Sequence, residues 1–422
     1  EVQVAGDVRG LSARAGGGRK FRLRSKMDPA RPKPLSHVRV LDLTRLLPGP
    51  MATLHLADLG ANVIRMEPVA EEGEPEGEGR RTDARGVLAL MLNRNKRAIR
   101  VDVKQPAGRE ILLRLAAESD VLLEGFRPGV ADRLGIGYEA ARGVNPRIVY
   151  CSISGYGQTG PNRLRAGHDI NYLACAGVGD QIGVPDGPPA ISNLQIGDLL
   201  GGSLTAAMGI LAALVDAQVH GRGRYIDVSM TDSVMAHAVL ALATLTSSGR
   251  TAARGEDLLS GGVPCYNYYR TQDGRYLAVG ALEAKFWERL CEAVGRPDLK
   301  SKQMARGADG QRVRDELQGI FAARNSDEWL PVFREVDCCV ELVLTLEEAM
   351  ASEQARARGM AVETEYPGIG KLTIFGPALR IEDVSFSADP RGCGGAQTDE
   401  ILRAAGYGSG EIEAWCAAGV IG

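Results

Sequence analysis

Between residues 37 and 153 the chain repeats one alternation, and that alternation limits its fold more than any other feature. Short β-branched runs are each followed by a loop and a stretch with helical spacing of apolar residues. The pattern predicts strands over residues 37–43, 61–67, 97–103, 120–126 and 147–153, with helices over 51–59 and 107–118. Residues 67–86 are acidic and glycine-rich and read as an exposed loop. A long helix rich in small residues is expected over 199–218, then a strand over 224–230 and a helix over 231–248. Strands that alternate with helices pair in parallel, because each crossover needs a helix's length of chain. The expected fold class is therefore α/β, with a doubly wound parallel sheet in a large domain over 35–230. The texture changes near Ser260. Residues 266–353 hold short strands and polar-faced helices and read as a smaller α+β domain. Residues 231–265 are then a linker, 354–371 a return linker, and 372–422 a segment expected to return to the large domain.

Charge excludes one class of function. Lys plus Arg is 50 and Asp plus Glu is 53, a net −3. A nucleic-acid binder that relies on global charge is not expected. Residues 1–26 carry seven basic residues against two acids, so the rest of the chain is more acidic than the total suggests. Residues 1–34 read as a disordered or extraneous extension; an Arg-rich organelle-targeting segment is the alternative reading of 1–26. No apolar run reaches the 18 residues of a membrane span; the nearest, residues 204–215, suits a buried helix. The eight cysteines show neither CxxC nor zinc spacing, which suits reduced thiols in an intracellular, cytoplasmic protein, or a mitochondrial one if 1–26 is a targeting segment. No metal site is expected.

Glycine is abundant, at 53 residues, yet no GxGxxG follows the first strand. The loop there is Thr44-Arg45-Leu46-Leu47-Pro48-Gly49-Pro50, which disfavours a nicotinamide enzyme. Basic residues gather instead at strand ends: Arg65, Lys104, Arg127 and Arg133. Each alone suits a solvated surface. Together, on the edge where strands of a parallel sheet end, they suit a phosphate-bearing anion. Three polar positions sit beside glycines: His168 after Gly167, Asp198 after Gly197, and Glu283 shortly after Gly280. Asp198 reads as a cap of the small-residue helix, near converging backbone N–H groups. A His with carboxylates suits general acid–base chemistry.

At these residues the sequence resembles the class III CoA-transferase superfamily, and within it the α-methylacyl-CoA racemases. The matching stretches include Asn93-Arg94-Asn95-Lys96-Arg97, Glu124-Gly125-Phe126-Arg127-Pro128-Gly129, Gly167-His168-Asp169-Ile170-Asn171-Tyr172, Gly197-Asp198 and Gly280-Ala281-Leu282-Glu283. The stretch with His168 is the discriminating one. The resemblance implies a Rossmann-like large domain, a small domain and an interlocked ring homodimer, with the active site shared between subunits. His168 and Asp198 would be the two catalytic bases, and Glu283 would hydrogen-bond the His from the partner subunit. Acyl-CoA contacts would fall on Val101, Asp102, Val103, Lys104, Gly125, Phe126, Arg127, Arg133, Gly167, Asp169, Ile170, Asn171 and Tyr172, with Arg65 from the strand-end cluster. The implied reaction epimerises 2-methylacyl-CoA thioesters by proton transfer through an enolate. It needs no cofactor, since CoA is part of the substrate. Two alternatives remain: a CoA-transferase using Asp198 as nucleophile, and a non-catalytic CoA-ester binding protein. The sequence departs from the family pattern at Cys265, at Leu342, and at Gly395-Ala396-Gln397-Thr398.

Overall fold

The computed structural model describes residues 32–69, 83–366, 369–390, 392, 395 and 397–422. The expected N-terminal extension over 1–31, most of the acidic loop and Cys393 lie outside the described residues. Six parallel strands form the central sheet: β1 (Arg39–Asp42), β2 (Asn62–Glu67), β3 (Arg97–Arg100), β4 (Val121–Glu124), β5 (Val149–Ser154) and β6 (Tyr225–Ser229). Their spatial order is β3-β2-β1-β4-β5-β6, and every ladder is parallel.

The strands are apolar on both faces because both faces are covered. Val40, Val121, Leu123, Val149 and Cys151 face helices Pro48–Asp58 and Thr205–His220. Leu41, Ile99, Leu122 and Tyr150 face helices Pro106–Ala117 and Tyr138–Val144. The C-terminal helices Thr398–Ala404 and Ser409–Ala417 join this second face through Ile401, Leu402 and Ile412. The chain end is stitched to the strip after β3, where the Asp102 N–H donates to the Val420 carbonyl at 2.8 Å. Helical structure continuous over residues 197–220 is long and apolar enough to cross a membrane by length and composition. Its inner residues Ala206, Ile210, Ala213 and Leu214 are packed against the sheet. The seven described cysteines are unpaired.

A second unit holds the antiparallel sheet β7 (Tyr266–Arg270), β8 (Tyr276–Gly280) and β9 (Val340–Leu342). Trp287, Phe321, Trp329 and Phe333 fill its core, and Cys265 is fully buried there. Part of the expected return linker is in fact a hairpin, β10 (Ala361–Tyr366) with β11 (Gly370–Phe375). Tyr366 and Ile374 turn apolar faces to Leu90 of helix Ala84–Asn93, so the segment carries its own small core.

One interaction anchors the first loop. Asp42 ends β1 with no solvent access, and its carboxylate accepts from the Thr44 N–H at 2.9 Å and from the Thr44 and Thr53 hydroxyls. The equally enclosed Lys96 ammonium lies 3.5 Å from it and donates to the Pro50 carbonyl at 2.8 Å and to Asn93 Oδ1 at 3.0 Å. A buried ion stripped of its partner costs about 3–5 kcal/mol. Lys96→Met should therefore destabilise the protein by about that amount in a urea titration at pH 7. A loss below about 1 kcal/mol would mean that the pair contributes no more than a surface one.

Candidate functional site

In an open parallel sheet, ligands bind outside the carboxyl ends of the strands, where crossovers leave in opposite directions. Here that point lies between β1 and β4. The loops at 44–50 and 125–129 leave from it, and β5 feeds the segment that carries His168.

His168 is the extended residue before helix Asp169–Cys175, at φ −130° and ψ 177°. Its N–H donates to Asn171 Oδ1 at 3.0 Å, which fixes the entry to the helix, and the residue is exposed. Asp198 does not cap a regular helix. It is the second residue of a π-helical turn, Gly197–Leu204, that runs into helix Thr205–His220. Its N–H donates to Asp169 Oδ1 at 3.0 Å. Gly197 permits this approach, since a Cβ there would stand 2.9 Å from the same oxygen. Burial pushes the Asp198 carboxyl up to about 6; the Asp169 carboxylate adds to the rise and His168 opposes it. Tyr172 is pushed up to about 12 by burial, then by Asp198, Tyr156 and Asp169, with Arg127 opposing. The structure thus brings His168, Asp169, Tyr172, Asp198 and Arg127 into one electrostatic unit.

Other expected site residues are placed differently. Glu283 precedes helix Ala284–Ala293 of the second unit, is exposed, and makes no hydrogen bond to His168 within the chain. Arg65 lies within β2, not at its end. It is buried and ion-paired with Glu67, two residues on along the same strand face. Val101 is buried and bridges to Ile421. Asp102 shapes its own turn, accepting from the Lys104 N–H at 3.0 Å and from Gln105 Nε2 at 3.2 Å. Val103 is half-buried and Lys104 exposed. Gly125, Arg127 and Arg133 are exposed, and Phe126 is half-buried. Gly167 accepts from the Tyr172 hydroxyl, while Ile170 and Asn171 are exposed. Among the described residues, no three His, Cys, Asp or Glu side chains group as a metal site.

Sequence reasoning missed Glu124, which ends β4 and is 3% exposed. It accepts from the Phe126 N–H at 2.6 Å and from the Ser152 hydroxyl, which in turn receives the Tyr225 hydroxyl at 3.2 Å. Burial pushes its carboxyl up to about 7. The Ser152 and Phe126 hydrogen bonds oppose the rise; Asp132 and Asp227 add to it. Glu124 lines a cavity of about 220 Å³ with Arg127, Asp132, Tyr138, Tyr150 and Tyr225. That volume is below the usual range for a drug-sized ligand, about 300–1,000 Å³, so the cavity cannot enclose a whole nucleotide thioester.

Comparison with known proteins bears on the site as a whole. The model of CoA-transferase family III matches residues 35–391. The chain is 38% identical over 384 residues to α-methylacyl-CoA racemase of Homo sapiens, covering 90% of this chain and 95% of that one. It is also 35% identical over 416 residues to succinyl-CoA:glutarate CoA-transferase of Mus musculus, covering 96% and 94%. A crystal structure of a CAIB/BAIF family protein from Brucella suis superposes with a TM-score of 0.74 at 26% identity, covering 89% of this chain and all of that one.

The raised Glu124 carboxyl makes a stability prediction whose sign is fixed. A carboxyl that is harder to ionise folded than unfolded costs nothing below about 4.5 and its full amount above about 7. Glu124→Gln removes the charge but keeps an acceptor for the Phe126 N–H. Relative to the parent, its stability should rise between pH 4.5 and 7 and level off above, by at most about 3 kcal/mol. A difference independent of pH in parallel denaturation curves would show that Glu124 does not titrate there.

Proposed function

The chain belongs to CoA-transferase family III, and from that premise we propose that it interconverts (2R)- and (2S)-2-methylacyl-CoA thioesters. The observation that carries the reading is that Asp169 ties two proton-accepting groups together: His168 immediately precedes it at the helix start, and its Oδ1 accepts the Asp198 N–H at 3.0 Å. Epimerisation needs two such groups. One takes the α-proton from one face, leaving an enolate whose charge rests on the thioester oxygen. The other returns a proton to the opposite face, so the enzyme ends with its proton moved from one group to the other. Lys104, Arg127 and Arg133 are exposed, which supports a role for them in meeting the CoA phosphates. The Asp198 N–H is engaged by Asp169, so it does not serve the enolate oxygen in this arrangement.

We further propose that Glu283 reaches His168 from a second copy of the chain. An apolar surface supports the dimer: Met208, Val215 and Val219 on helix Thr205–His220, and Val239, Leu240 and Leu242 on helix Val239–Ser248, are each more than half exposed. A second reading, CoA transfer, draws on the similarity to the glutarate CoA-transferase. There the Asp198 carboxylate would attack the thioester and form a mixed anhydride. That route has no use for a second base, and His168 favours the first.

The test takes one stereochemically pure 2-methylacyl-CoA in D₂O. Racemisation predicts α-deuterium incorporation with epimerisation and no carboxylate acceptor. Acceptor-dependent CoA transfer without exchange would overturn the proposal. The reactive form holds one proton between Asp198 and His168, so kcat/KM for both epimers should fall together below pH about 6. Asp198→Asn should lower exchange at least about 100-fold. Glu283→Ala should keep CoA binding and slow exchange; unchanged turnover would remove Glu283 from the site.

A further inference from the structure

The π-helical turn that carries Asp198 is held open by hydroxyls. An α-helical Ser or Thr back-bonds to the carbonyl four residues earlier. Here the Ser203 hydroxyl reaches the Asp198 carbonyl, five residues back, at 3.1 Å, and the Thr205 hydroxyl reaches the Leu200 carbonyl, also five back, at 3.0 Å. Both bonds match the wider turn. Ser203 does more, because its one hydroxyl proton is shared between the Asp198 carbonyl and the Pro48 carbonyl in the loop after β1, the nearer at 2.7 Å. Its side chain has no solvent access. The turn is pressed on two sides as well. A Cβ at Gly202 would stand 2.8 Å from the Pro48 ring, and one at Gly201 would stand 2.7 Å from the Met230 carbonyl.

We propose that Ser203 is a positioning residue for the reaction, locking the π-helical turn to the Pro48 loop so that Asp198 is presented beside His168 and Asp169. The inference rests on the reading of Asp198 as the reacting carboxylate. The geometry gives it force. One residue more per turn rotates everything before it by about 100° about the helix axis. If the turn relaxed to α-helical winding, Asp198 would leave the carboxylate of Asp169 that now receives its N–H. π-Helical turns concentrate at functional sites for this reason.

Ser203→Ala removes a single oxygen, and Ser203→Cys keeps a donor, though a weak one on a larger atom. Each is assayed beside Asp198→Asn, by deuterium exchange or by acceptor-dependent CoA transfer, whichever the parent performs. In the folded protein, both Ser203 variants should lose about 10- to 100-fold in kcat with KM within about twofold. The acid limb of kcat/KM should move below its parent value, as the Asp198 carboxyl moves away from Asp169. Amide exchange over residues 197–204 should quicken. Where Ser203→Ala does not fold, Ser203→Cys carries the test. Parental kcat in a folded Ser203 variant overturns the proposal, whatever happens to amide exchange. So does a loss confined to KM or an unmoved acid limb. Asp198→Asn with parental turnover overturns the reading of Asp198 and this proposal with it. An inactive Asp198→Asn beside a fully active Ser203→Ala overturns this proposal alone.

Discussion

The site depends on an ion pair that no solvent reaches. Burying an aspartate and a lysine side by side is unfavourable unless every polar atom is met. Here the partners come from four places in the chain: Thr44, Thr53, Asn93 and the Pro50 carbonyl. Displacing any one of them exposes a charge to an apolar interior, so the pair has one good arrangement and many costly ones. That arrangement fixes the loop at 44–50 against both the start of helix Pro48–Asp58 and the turn before β3. The Pro48 carbonyl of the same loop meets Ser203. Lys96 and Asp198 are thus linked through three contacts: Lys96 to the Pro50 carbonyl, and Ser203 to the Pro48 and Asp198 carbonyls.

A second constraint is shared charge. At this sheet edge Asp198 and Glu124 are both pushed up, each by burial first, with neighbouring carboxylates adding to the rise. Arg127 stands in both surroundings. It lines the cavity beside Glu124 and opposes the rise of Tyr172 near Asp198. One exposed cation on a short loop thus stands beside both the Glu124 cavity and Tyr172. The Glu124 carboxylate, by accepting the Phe126 N–H, holds the loop on which that cation rides.

The sheet was legible because β-branched runs flanked by helical spacing leave little choice of architecture, and all six parallel strands stand where the alternation put them. The π-helical turn was not legible. Gly197-Asp198-Leu199-Leu200-Gly201-Gly202-Ser203-Leu204 has the spacing of an ordinary apolar helix. The contacts that accompany the wider turn come from residues distant in sequence: the Pro48 carbonyl meets Ser203, and Pro48 and Met230 approach closely at Gly202 and Gly201. The expected single helix after β6 is two, Met230–His237 and Val239–Ser248, divided at Ala238, where ψ turns to 39°. Arg65 was over-read, and the correcting signal was present. Glu67 lies two residues on, so a strand puts both side chains on one face, where they pair. His168 and Asp198 stood out because each follows a glycine in an apolar stretch. Glu124 did not, because its burial is made by Ser152 and Tyr225 across the sheet.

The strand order is the one that dinucleotide-binding domains use, and the contrast explains how the site treats anions. In those domains the first loop after β1 is glycine-rich and turns backbone N–H groups toward a pyrophosphate. In this chain the same loop carries Pro48 and Pro50, which have no N–H to give. Its carbonyls point inward instead: Pro48 O to Ser203, Pro50 O to Lys96. Two carbonyls of this loop are thus committed to contacts within the protein. Exposed side-chain cations stand nearby instead: Lys104 and Arg127 on the segments after β3 and β4, and Arg133 at the end of helix Val130–Arg133. Through the Pro48 carbonyl the loop contacts the turn that carries Asp198. On this view the Pro-Gly-Pro sequence and the strand-end cations are two halves of one arrangement.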